Sequence, residues 1–109
     1  MNLSYSWEKF TAAVSCLAES SDSIQNRLIN CCLHLSRLDV EDMPEKLKTD
    51  FGEIKKEFTK VESAQEGSIT ASIRVMSDEK AVELARKIVS MNNTIILMYG
   101  ATEEGQDFA

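Results

Sequence analysis

The chain has 109 residues, with three cysteines, one histidine and a formal net charge of −6. That length is enough for one domain with its own core and excludes any need for a disulfide or metal staple. The acidic balance excludes general phosphate-backbone binding, which takes clustered lysine and arginine, and it is compatible with a basic protein partner.

A single proline and four glycines leave long stretches unpunctuated, which favours helix. The first helix is expected over about 6–19, with Trp7, Phe10, Val14 and Leu17 as its apolar stripe. The run Ser20-Ser21-Asp22-Ser23 breaks it, and Asp22 with Gln25 three residues on reads as a capping box. A second helix is expected over about 23–38, buried along Ile24, Leu28, Cys31, Leu35 and Leu38. Pro44 suits the first position of a third helix, over about 44–61. There Leu47, Phe51, Ile54, Phe58 and Val61 form a narrow seam, and Lys46–Asp50, Glu53–Lys56 and Glu57–Lys60 can pair along the surface.

Residues 68–76 fit two templates. Ile69, Ala71, Ile73 and Val75 alternate as in a strand, yet no second strand exists to pair with. A short helix capped by Ser68 is therefore expected. The last and most strongly patterned helix spans about 77–99, from a Ser77 cap to a Gly100 stop. Its apolar stripe covers about half the circumference. The sum is an all-α fold: a compact antiparallel bundle of four main helices with a short extra helix near 68–76, forming a single domain over 1–100. Residues 101–109 are expected to be a disordered acidic tail.

Few residues suggest chemistry. Cys31, Cys32 and His34, with Cys16, are the soft-ligand cluster, and Cys31 with His34 is the pair that a small enzyme or metal-binding bundle would use. The spacing is wrong for a structural zinc site, and Cys31 lies within the apolar stripe, where a thiol loses reactivity. There is no phosphate-cradling glycine loop, EF-hand loop or His-x-x-x-His pair. Neither catalysis nor a cofactor is expected. Asn92 interrupts the apolar arc of the last helix, either reaching solvent at its margin or fixing the register of a seam.

The second helix carries a basic strip, Arg27, Asn30, His34 and Arg37, and a separate apolar pair, Ile29 and Leu33. These six residues are the candidate partner-binding set. Together with the wide stripe of the last helix, they lead to the expectation of a non-catalytic interaction module, a small adaptor, regulator, inhibitor or accessory subunit. Its partner is another protein, or a second copy packed through helix 23–38 or helix 77–99. Nucleic acid and membrane are not expected partners. The longest apolar run, Ile95 to Tyr99, falls far short of the ~20 residues that a span requires. No basic segment followed by an apolar run opens the chain, and the cysteines lack a framework spacing, so free thiols and a cytoplasmic setting are expected.

Overall fold

The computed structural model describes residues 2–108, with side chains described over 2–101. Its helices are α1 (Leu3–Ala18), α2 (Ile24–Leu35), α3 (Lys48–Glu57), α4 (Ser68–Arg74) and α5 (Asp78–Phe108), and two 3₁₀ turns, Val40–Asp42 and Glu45–Leu47, precede α3. Among the described residues there is no strand. The all-α bundle is as expected, and so is a short helix in the alternating segment, which runs over Ser68–Arg74 and stops before Val75.

The helix ends are set by capping groups and differ from expectation in several places. α1 begins at Leu3 because Asn2 Oδ1 accepts from the Tyr5 N–H at 3.2 Å. Ser6, expected at the helix start, instead lies inside it, fully buried, and donates to the Asp42 carbonyl at 2.7 Å. α2 is capped by Ser23, whose Oγ accepts from the Asn26 N–H at 3.1 Å, and not by Asp22. Gln25, the expected partner of Asp22, reaches across to α5 and donates to Asp78 Oδ1 at 2.7 Å and to the Met76 carbonyl at 3.3 Å. α2 stops at Leu35 instead of Leu38, because the chain tightens into a turn in which Leu38 N–H donates to the Leu35 carbonyl at 3.0 Å. That turn still delivers Leu38 to the core.

The third helix departs most. Pro44 has ψ of 150°, an extended value, so it precedes the 3₁₀ turn and does not open α3. Beyond α3, the Val61 N–H donates to Ser72 Oγ on α4 at 2.8 Å, which takes Val61 out of the helix. Gly52 is half-buried, and a Cβ placed on it would meet Val40 Cγ2 at 3.8 Å. α4 is capped by Gly67 and not by Ser68: Gly67 has φ of +84°, where a side chain would be strained.

Ser77 caps α5 as expected, its Oγ accepting from the Lys80 N–H at 3.1 Å. Gly100 does not end the helix. It lacks a left-handed φ, and the backbone runs on to Phe108 through Ala101, Glu103 and Glu104, all good helix formers. The expected disordered tail at 101–109 falls mainly on 102–109, whose side chains lie outside the described residues.

α1 packs on α2 and α5, α2 also touches α4 and α5, and α3 packs on the 3₁₀ turns and α5. The Gln25–Asp78 contact joins the starts of α2 and α5, while Trp7 near the start of α1 meets Tyr99 late in α5. α1 therefore runs antiparallel to both. The core holds Phe10, Leu28, Leu35, Leu38, Met43, Phe51, Phe58, Ile73, Ile88 and Ile95, all fully buried. Phe10 and Phe51 meet with ring centroids 6.0 Å apart and planes tilted by 56°. Side chains of this size contribute roughly 1.5–3 kcal/mol each by leaving water.

Candidate functional site

The six residues proposed on α2 and its following turn do not form one surface. Arg27 points inward, with Nη1 donating to the Leu17 carbonyl at 2.8 Å and Nε to the Asp22 carbonyl at 3.0 Å. It satisfies carbonyls at and beyond the end of α1, where a helix leaves its last carbonyls without internal partners. Ile29 is buried and belongs to the core cluster, and α4, with Ile69 packed against that cluster, lies across α2. Ile29 is thus a core residue, on a helix that α4 packs against, and not a surface contact residue. Asn30 and Arg37 are exposed, His34 is half-buried, and Leu33 keeps 48% of its surface in water. Only these four remain as a surface set, with one large apolar side chain among them.

The larger uncovered apolar group lies on α5. Val89, Ile96 and Leu97 are exposed, Leu97 to 73%, and Val82 is half-buried in line with them. The sequence shows this row as the excess width of the stripe, but only the packing shows which part stays uncovered. Val75, after α4, is 71% exposed and stands apart as a single residue. Isolated apolar side chains of that kind are ordinary on protein surfaces.

Asn92 is 6% exposed, and its Oδ1 is buried without a hydrogen-bond partner. Of the two expectations, solvent access at the margin of the stripe is the one that fails. Its position seven residues from both Ala85 and Tyr99 is the sequence signal that it shares their side of the helix.

A groove of about 430 Å³ runs between α3 and α5, with Ile54 and Met91 on its floor and Asp50, Glu53, Glu57, Lys56, Lys87 and Ser90 around its rim. The spacing of Asp50, Glu53 and Glu57 places them along one side of α3. Lys60, at 3.3 Å, holds the Glu57 carboxyl below the usual carboxylate range, and Lys80 adds to this from α5 at 3.7 Å. Mixed charge on the rim gives the groove no strong preference for either sign. Of the three surface pairs expected on this helix, Glu57–Lys60 forms.

The thiols are free. Cys31 and Cys32 are fully buried. The hydrogen bond with Cys31, followed by burial, pushes the Cys32 thiol far up, so it stays neutral. Burial raises Cys16 as well. Among the described residues, no group of three or more His, Cys, Asp or Glu side chains is placed to hold a metal ion. No helix among them is long and apolar enough to cross a membrane. Comparison with protein-family models, with curated proteins and with solved structures finds no match to this chain.

Proposed function

We propose that the chain is a non-catalytic protein–protein interaction module, a small adaptor, regulator, inhibitor or accessory subunit, acting in the cytoplasm through a helical surface. One observation carries this reading. Val89, Ile96 and Leu97 stay exposed along one helix, and the other exposed large aliphatic side chains among the described residues, Leu33 and Val75, lie on separate elements. Monomers seldom leave such side chains together on the surface, and grouped patches mark contact sites. Exposed Asn30, Leu33 and Arg37, with half-buried His34, form a second, more polar contact region. The alternative, a small enzyme or metal-binding bundle using Cys31 and His34, lacks an accessible thiol, because Cys31 is fully buried.

The test compares tagged wild type with Ile96→Glu/Leu97→Glu after incubation with extract of the source cells. A discrete protein, which includes an untagged copy of the same chain, is expected to be retained by wild type and lost by the variant. Equal retention by both, or none by either, would contradict the reading.

A further inference from the structure

α5 carries two apolar rows. Ala81, Leu84, Ile88, Met91 and Ile95 are all buried and form the row that faces the core. Val82, Ala85, Val89, Asn92, Ile96 and Tyr99 form a second row at alternating spacings of three and four, the period of a helix–helix seam. α1 covers one edge of that second row through the stack of Trp7 on Tyr99. Its other edge, Val82, Val89 and Ile96 at every seventh position, has no helix over it among the described residues: Val82 is half-buried, and Val89 and Ile96 are exposed.

We propose that a second copy of this chain covers this edge, the two α5 helices packing antiparallel about a two-fold axis through Val89. The inference rests on the interaction-module reading and names the partner on α5.

The charges argue for this occupant. From Val82 to Gly100 the ionised side chains are Glu83, Arg86 and Lys87, and Glu83 pairs with Lys87 at 3.5 Å. Arg86 is the remaining charge and has no ion-pair partner among the described residues. The edge thus asks for an apolar, nearly neutral helix that brings a hydrogen-bond acceptor for one guanidinium. A strongly basic segment, which would suit the net charge of −6, finds no carboxylate row here. A second α5 meets the requirement. With Val89 at the axis, each Val82 faces Ile96 of the other copy, and each Arg86 comes beside the exposed amide of Asn93 of the other copy. A parallel two-fold arrangement would instead put the two Arg86 side chains on opposite sides of the seam, away from Asn93 of the other copy.

Val82 to Ile96 spans ~21 Å at 1.5 Å per residue, which is about four turns of helix–helix contact. A two-fold contact uses the same patch on both copies and closes, so association stops at the dimer.

Sedimentation of the purified chain at tens of micromolar, paired with cysteine cross-linking, tests the proposal. Wild type is expected to sediment at twice 12.2 kDa, and Val89→Glu/Ile96→Glu at 12.2 kDa with unchanged circular dichroism. In a Cys16→Ser background, a short bis-maleimide is expected to cross-link Val89→Cys to itself. It should leave Val82→Cys alone uncoupled, and couple Val82→Cys to Ile96→Cys when the two are mixed. If the double glutamate variant fails to fold, the cross-linking series decides. A monomeric wild type, a dimer that survives both glutamates, or self-coupling at position 82 would overturn the proposal. A monomer whose α5 row still retains a different protein from source extract removes this inference alone. A monomer that retains nothing removes the interaction-module reading as well.

Discussion

Trp7 stacks on Tyr99, with ring centroids 4.9 Å apart and planes 11° from parallel. The contact ties the first turns of α1 to a late turn of α5, at the end of the bundle opposite the Gln25–Asp78 contact. Aromatic pairs contribute about 0.5–1.5 kcal/mol beyond the area they bury. A double-mutant cycle on Trp7→Leu and Tyr99→Leu, read by urea denaturation, is therefore expected to give a coupling energy in that range. Additive changes would mean that the rings touch without stabilising each other.

Arg27 holds two carbonyls near the junction of α1 and α2, the Leu17 carbonyl at 2.8 Å and the Asp22 carbonyl at 3.0 Å. Its role is structural, and both Arg27→Lys and Arg27→Met should lower stability, by about 1–3 kcal/mol for the methionine. Lysine is expected to recover only part of the loss, because one ammonium cannot reproduce the fork that reaches both oxygens. Full stability in the methionine variant would contradict this assignment.

Asn92 and Ile88 lie one turn apart on α5, and substitutions there should move stability in opposite directions. Ile88 is fully buried, and Ile88→Ala is expected to cost about 2–5 kcal/mol. Asn92 keeps a buried oxygen without a partner, so Asn92→Leu, which has the same branching at Cγ and no polar atom, is expected to stabilise by about 1–3 kcal/mol. Thermal melts of the two variants report both signs, and a destabilised Asn92→Leu would show that the amide is satisfied in solution.

The periodic α5 row from Ala81 to Ile95 and the seam Leu47, Phe51, Ile54 and Phe58 can be read directly from spacing, and both are buried. Helix boundaries are not legible in this way, because they depend on contacts distant in sequence. Val61 leaves its helix for a hydroxyl on Ser72, and Gln25 abandons a local cap for Asp78. The candidate surface was readable only in part for the same reason. A helical wheel places Arg27 and Ile29 outside the main stripe of α2, but it cannot show that carbonyls beyond α1 receive the one and that α4 lies near the other. On α5, by contrast, Val89 and Ile96 stay exposed among the described residues.

Glu57 gives the fold an acid-sensitive contribution. Lys60, and then Lys80, favour its charged form, so its carboxyl lies lower in the folded chain than in the unfolded one. Stability from this group is present above the unfolded value of about 4.3 and is lost as pH falls through the folded one. Glu57→Gln should therefore be less stable than wild type near neutral pH and converge with it in acid. The gap should shrink in high salt, since the carboxylate is partly exposed. A gap independent of pH would place the effect elsewhere.

The surface assignment is tested most directly by photo-cross-linking in source extract, with a photoreactive residue placed in turn at Leu97, Leu33 and Val75. These are exposed apolar positions on α5, on α2 and after α4. The account predicts a discrete protein adduct at position 97 that Val89→Glu/Ile96→Glu abolishes, with weaker labelling at 33 and none at 75. Adducts of equal strength at all three positions, or adducts at 33 or 75 without one at 97, would contradict it.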